Sequence, residues 1–219
     1  MYFRKLAILT ALLVLSLPSF AGVLYSQPFD MTGNAYSSQN DTNGLGNFAT
    51  VYDNFTLGTA NNVTEVQWTG EYFNPPAQGP ITAWTITFYA DNAGQPGAAL
   101  ASTNVAGTGG ETFLGTFGGF PTYTYDVVLS SPFAAAAGTQ YWISEIPDLG
   151  FPPQWGNSSG TGGDGISFQD FFGVRSQLAA DMAFNLLGGG VQTTPEPGTL
   201  VMLGTGVLGL AGAIRRKVF

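Results

Sequence analysis

The sequence predicts an all-β domain, an antiparallel β-sandwich of the jelly-roll kind, over residues 22–190. Two observations carry this prediction. Aromatic and β-branched residues alternate with polar ones in short runs, and the period of an amphipathic helix is missing between the runs. Clusters of Gly, Pro, Asn and Asp separate the runs, and the chain holds 31 Gly and 13 Pro among 219 residues. A segment of this length is sufficient for one domain with its own core.

Each predicted strand follows from the alternation within it. Residues 63–72 place Val66 and Trp68 on one face, with polar residues between them. Residues 107–119 and 157–165 are rich in Gly, Ser and Thr, and we predict that both are loops. The other predicted strands are residues 26–30, 49–57, 81–89, 123–129, 140–145 and 181–186.

The N-terminus, residues 1–21, predicts a signal peptide. Arg4 and Lys5 precede an apolar run of about a dozen residues, and small residues follow it. The run is short for a membrane span. We therefore predict that signal peptidase cleaves the chain between Ala21 and Gly22.

The C-terminus begins with a linker, residues 191–198, that contains the motif Pro195, Glu196 and Pro197. The two prolines separate the domain from the apolar segment after them, because proline interrupts a helix. Residues 199–214 are uncharged and largely apolar, and as a helix they reach about 24 Å. We predict that they form a transmembrane helix, which this length only just permits.

The last segment, residues 215–219, holds the basic side chains Arg215, Arg216 and Lys217. Basic clusters beside a transmembrane helix stay in the cytoplasm. The three side chains therefore act as topology anchors, and they predict that the β-domain lies on the other side of the membrane.

The Pro-Glu-Pro motif, the Gly-rich apolar segment and the basic cluster occur in this order at the end of the chain, and together they resemble the PEP-CTERM sorting signal of Gram-negative bacteria. The resemblance implies an exosortase substrate. It implies a single-pass stage in the inner membrane, then processing by the exosortase and delivery to the cell surface or the extracellular space. An ordinary tail anchor is the alternative, but it has no need of the Pro-Glu-Pro motif.

Composition excludes several functions. The chain has no Cys and no His, which removes thiolate nucleophiles, histidine bases and metal sites built on these ligands. Residues 22–194 contain 13 acidic residues and one basic residue, so their net charge is −12. Such a surface repels nucleic acid, and we expect no nucleic-acid partner. We also expect no enzymatic activity, although a glycan hydrolase stays an alternative because it needs only two carboxylates, for which Glu71 and Glu145 are candidates.

We expect an exported cell-surface or extracellular-matrix protein, and the alternative is a carbohydrate-binding module for exopolysaccharide. Three of the four tryptophans alternate with polar residues and predict core positions. Trp155 follows two prolines in a predicted loop, and Tyr72 and Phe73 precede a second such loop. Aromatic side chains in loops stack on sugar rings, so these three residues are the predicted glycan-binding candidates.

The acidic residues permit one cofactor, a structural calcium ion, because calcium binds carboxylate and carbonyl oxygens. Asp53, Asp91 and Asp126 lie at or near the ends of predicted strands and are the candidate ligands. None of them lies in the Asp-rich spacing of a known calcium loop. No other cofactor is expected.

Overall fold

The computed structural model describes residues 21–188, which form fifteen β-strands and no helix. The all-β prediction is therefore confirmed for this part of the chain. The strands are β1 (Gly22–Gln27), β2 (Ala35–Ser37), β3 (Gln39–Asp41), β4 (Gly46–Thr56), β5 (Asn61–Phe73), β6 (Ala83–Asp91), β7 (Pro96–Ala106), β8 (Thr112–Phe117), β9 (Phe120–Ala135), β10 (Gln140–Leu149), β11 (Gln154–Gly160), β12 (Ser167–Phe171), β13 (Val174–Leu178), β14 (Asp181–Met182) and β15 (Phe184–Gly188).

The strands form two sheets. Sheet I has eight strands in the order β1-β15-β5-β11-β14, with β2 paired to β11, β9 paired to β5 and β8 paired to β9. Sheet II has seven strands in the order β13-β12-β4-β3-β10-β6-β7. All pairs are antiparallel except the short contact between β3 and β10.

The two sheets face each other across an aromatic core. The ring of Trp84 on β6 lies 4.7 Å from the ring of Trp68 on β5 and 4.9 Å from that of Trp155 on β11, between centroids. Phe88 on β6 stacks on Phe133 of β9 at 4.3 Å. Large buried aromatic side chains supply most of the apolar area in such a core. This packing gives the two-layered arrangement that the alternation predicted.

Two segments predicted to be loops contain strands. Residues 107–119 hold β8, and β11 extends through the first part of residues 157–165. Strand β11 is composed mainly of Gly, Asn and Ser, and its two glycines lie where the neighbouring backbone approaches closely. A Cβ atom on Gly156 would lie 2.5 Å from the carbonyl oxygen of Tyr36 on β2. Tertiary pairing overrides low strand propensity at these positions.

The first and last strands of the domain lie side by side. Gly22 on β1 pairs with Gly188 on β15, and Asn61 at the start of β5 pairs with Ala135 at the end of β9 nearby. We call this the tether end of the domain. Strand β5 runs from it to the distal end, where Phe73 pairs with Gln154.

Several predictions concern segments outside the described residues: residues 1–20 of the signal peptide, the Pro-Glu-Pro motif, the apolar segment 199–214 and the basic tail. Within residues 21–188, the structure has no helix of the length and apolar character that a membrane crossing requires.

Candidate functional site: a polar groove on sheet I

A groove of about 370 Å³ opens on the outer face of sheet I, away from the aromatic core. Strands β1, β5, β9 and β15 supply its floor. Phe29, just after β1, lies on one side of it, and Gly110 and Thr112 lie on the other. The groove arises because every second side chain of these strands points away from the core.

The floor is a lattice of polar side chains set by strand register. Asn185, Gln67 and Asp126 are direct neighbours across β15, β5 and β9. Thr69 pairs with Thr124 in the adjacent row. Neighbouring strands lie about 4.8 Å apart, so hydroxyl, amide and carboxylate groups repeat at that interval across the floor.

Hydrogen bonds hold part of this lattice in place. Ser26 Oγ donates to Asn185 Oδ1 at 2.6 Å. Gln67 Nε2 donates to Glu65 Oε1 at 3.0 Å and to Asp126 Oδ2 at 3.2 Å. Burial and the nearby charge of Asp126 raise the pKa of Glu65. The floor is therefore preorganised and carries negative charge.

The half-exposed side chain of Phe29 gives the groove an aromatic wall. Its ring meets Phe117 edge to face, with centroids 5.0 Å apart. Gly33 fixes this arrangement, because a Cβ atom there would lie 2.5 Å from the backbone nitrogen of Gly118. Gly33 also has a φ of 76°, which a residue with a side chain rarely adopts. The segment after β1 is thus tied to the end of β8.

The predicted glycan-binding aromatics lie elsewhere. Trp155 belongs to β11 rather than to a loop and is 0% exposed, and its Nε1 donates to Tyr125 Oη at 2.9 Å. Tyr72 is also 0% exposed, and its hydroxyl donates to Glu111. Phe73, the last residue of β5, is half-buried. The expected loop position of Trp155 is wrong because the strand begins directly after the two prolines, and neither Trp155 nor Tyr72 presents a ring face to solvent.

The three calcium candidates do not share a site. Asp53 is buried and accepts from the backbone nitrogens of Asn54, at 2.7 Å, and Met182, at 2.5 Å. Asp91 accepts from Trp142 Nε1 at 2.9 Å, whereas Asp126 lies in the groove. Among residues 21–188 no three acidic side chains are grouped as metal ligands. Structural calcium stays a prediction, and these three residues do not supply one site for it.

Two buried carboxyl groups, Glu145 and Glu71, have environments that no sequence pattern indicates. Glu145 on β10 is 3% exposed, and burial raises its pKa to about 7. Its Oε2 accepts from Asn157 Nδ2 at 3.0 Å, whereas its Oε1 and Asn157 Oδ1 have no partner among the described residues. Burial also raises the pKa of Glu71 to about 7.

Glu71 and Glu145 lie on opposite sides of sheet I. Glu71 pairs with Gly156 on β11, and Asn157, the next residue, points to the other side and bonds Glu145. A glycosidase needs two carboxyl groups that flank one bond. This pair does not have that arrangement.

Residues 193–217 match the family model of the PEP-CTERM protein-sorting motif. The chain carries this sorting signal. The match spans the Pro-Glu-Pro motif, the apolar segment and the basic cluster, so the resemblance seen in the sequence is confirmed. The signal marks an exported protein that passes through a membrane and is sorted by an exosortase. The comparison with curated proteins found no match.

Proposed function

We propose that this PEP-CTERM protein is a non-enzymatic component of the cell surface or extracellular matrix that binds an extracellular polysaccharide in the groove of sheet I. Signal peptidase removes residues 1–21, the apolar segment 199–214 holds the chain in the inner membrane, and the exosortase then processes the tail. The proposal adds a ligand to the sorting route. The observation that carries it is the polar floor of the groove.

The chemistry of the floor matches that of a sugar. Pyranose hydroxyls both donate and accept hydrogen bonds, and the floor offers the amides of Gln67 and Asn185 with the hydroxyls of Thr69 and Thr124. Phe29 adds an apolar ring on which the C–H face of a pyranose can pack. A mostly preformed cleft with a few convergent polar groups is typical of a ligand site.

Charge selects the class of sugar. Among residues 21–188 the one basic side chain, Arg175, is bound to Asp170 on sheet II, with Nε 2.7 Å from Oδ1. The groove therefore has no cation that could pair with the carboxylate of a uronic acid, and Glu65 and Asp126 repel that carboxylate. We infer that the ligand is a neutral polysaccharide.

The groove does not favour hydrolysis. Gln67 Nε2 donates to Glu65 Oε1 at 3.0 Å and to Asp126 Oδ2 at 3.2 Å, so the Gln67 amide lies between the two carboxyl groups, where a glycosidase would hold the glycosidic bond. The two groups therefore leave no room for a glycosidic bond between them. Binding without cleavage is the function that the geometry supports best.

The test measures retention of the full chain, purified in detergent, on the producing bacterium's own exopolysaccharide and on neutral and uronate polymers. We expect retention on neutral polymers and a loss of about tenfold in affinity for Gln67→Ala, which removes an amide worth about 1.4 kcal/mol. Gln177→Ala, an exposed amide on β13, is the matched control and keeps the wild-type affinity. Equal binding by the two variants, or preference for uronates, contradicts the proposal.

A further inference from the structure

Strand β7 is a long, open edge of sheet II. It pairs with β6 on one side and ends the strand order on the other. From Ala98 to Ser102 every residue is exposed. From Ala101 to Ala106 its register with β6 is unbroken. Along this stretch the outward N–H and C=O groups have no backbone or side-chain partner among the described residues.

The stretch Ala101 to Ala106 of this edge lacks the features that normally prevent strand addition. Natural edge strands carry charged side chains, prolines or bulges, or they are very short. Strand β7 has a proline only at its first residue, Pro96, whose carbonyl oxygen accepts from Arg175 Nη1 at 2.9 Å. A bulge precedes Ala101, and no charged residue occurs in the strand. The stretch 101–106 is therefore unprotected.

Each other edge of the described sheets has at least one of these features: β1 has a register shift between Val23 and Tyr25, β2 has three residues, and the part of β9 beyond β8 contains Pro132. Strand β13, at the opposite edge of sheet II, has five residues and contains Arg175. Strand β14 has two residues. Strand β8 has a register shift between Phe113 and Gly115, and the segment at Gly33 contacts its end. The open character of β7 is therefore local and not a general property of this domain.

We propose that β7 pairs antiparallel with β7 of a second copy of this chain, which joins the two copies of sheet II into one continuous sheet. A second copy of β7 is the partner that this edge fits. A two-fold axis places two identical open edges side by side, so that the free N–H groups of each strand bond the free C=O groups of the other. The pairing segment, Ala101 to Ala106, is uncharged and has small side chains at most positions. Each domain has a net charge of −12, but the two paired strands carry no charged side chains, so no like charges face each other within the pairing.

The pairing has a geometric consequence for a surface protein. Strand β10 begins at the tether end, because it follows the last residue of β9 after a short turn. Ala90 of β6 pairs with Tyr141 near the start of β10, and Pro96 of β7 pairs with Asp91 of β6. Strand β7 therefore starts at the tether end. Because the two copies of β7 run in opposite directions, the tethers of the pair point opposite ways. Such a pair bridges two surfaces or two matrix chains and does not form between neighbours that stand upright on one membrane.

Sedimentation of the full chain in detergent tests the pairing, with Ser102→Lys on β7 and Ser176→Lys on β13 as matched variants. Both serines are exposed on edge strands of sheet II. We expect a concentration-dependent dimer that Ser102→Lys weakens by about tenfold, because a two-fold axis within Ala101 to Ala106 brings the two lysines to roughly 10 Å from each other on one face of the joined sheet, and that Ser176→Lys leaves unchanged. The dimer strengthens from about 0.1 M to about 1 M salt, since the net repulsion is screened.

Cross-linking gives a second readout that does not depend on the lysine variant folding well. The chain has no cysteine, so Ser102→Cys and Ser176→Cys each introduce a single thiol. A short bis-maleimide joins the Ser102→Cys copies and leaves the Ser176→Cys copies single. A monomer at every concentration and salt level overturns the proposal, and so do equal cross-linking of the two variants and equal weakening by the two lysines. The proposal is also overturned if the Ser102→Cys chain stays monomeric and residues 189–198 of the same chain protect its thiol from the maleimide.

Discussion

Glu145→Gln is expected to stabilise the protein at neutral and alkaline pH. The carboxyl group is 3% exposed, and burial moves its pKa from 4.5 to about 7. A change of this size means that ionised Glu145 costs about 3 kcal/mol of folding free energy. Glutamine has nearly the same shape, keeps an oxygen for Asn157 Nδ2, and its own amide N–H suits Asn157 Oδ1, which has no partner among the described residues. The cost of burying a charge disappears.

The sign of the pH dependence follows from the raised pKa. Between pH 4.5 and about 7 the folded protein holds a proton that the unfolded chain has lost. The stability that Glu145 contributes is therefore complete below pH 4.5 and is lost as the pH rises through about 7. Glutamine removes this dependence, so the advantage of Glu145→Gln grows across this interval and is constant above it.

Urea unfolding of the purified protein at about pH 4.5 and about pH 8 measures the effect, with tryptophan fluorescence as the signal. Asp148→Asn, on the same strand, controls for removing a negative charge from β10. A gain of about 3 kcal/mol at the higher pH and a small change at the lower one are expected. An equal change at both, or a loss of stability at the higher pH, would refute the reasoning.

Two further predictions concern packing and sorting. Gly70→Ala is expected to destabilise the protein by more than about 2 kcal/mol, because the added Cβ overlaps the Trp155 ring; Gly58→Ala, where no atom lies within 4 Å, is the control, and equal unfolding midpoints in urea would contradict the explanation. Replacing Pro195 and Pro197 by Ala is expected to abolish processing, so that intact-mass analysis finds chains that retain Arg215 to Phe219; release of the normal product by this variant would show that the motif is not what the exosortase reads.

Local pattern predicted the long strands β4, β5, β6, β9 and β10 and core positions within them, but it did not predict β2, β3, β7, β8, β11, β12 and β13. Trp68 and Trp84 were assigned correctly because alternation along a strand decides which side chains share a face. The same reasoning failed for Trp155. Its neighbours Pro152 and Pro153 are typical of a loop, and the buried position depends on β5 pairing with β11 and on the space that Gly70 leaves.

The candidate site was less predictable than the fold. Gln67, Thr69 and Thr124 were foreseeable as outward-facing residues, yet their meeting in one groove depends on the register between β5 and β9. The charge of the groove likewise follows from Glu65 and Asp126 lying on neighbouring strands, far apart in sequence. No spacing along the chain indicates such pairs, because strand order is fixed by contacts between distant segments.

The sequence by itself determined the C-terminal sorting signal of this protein and the class of its fold. The sorting signal is read as a linear sequence, so its residues were sufficient to recognise it, and strand alternation is a local property. Only the tertiary structure decided which acids are buried, which aromatics are exposed and which edge is open. Each of those features depends on contacts between distant segments of the chain. Burial of Glu145 depends on the packing around β10, the polar floor depends on β15, β5 and β9 lying side by side, and the open edge depends on β7 having no further neighbour among the described strands.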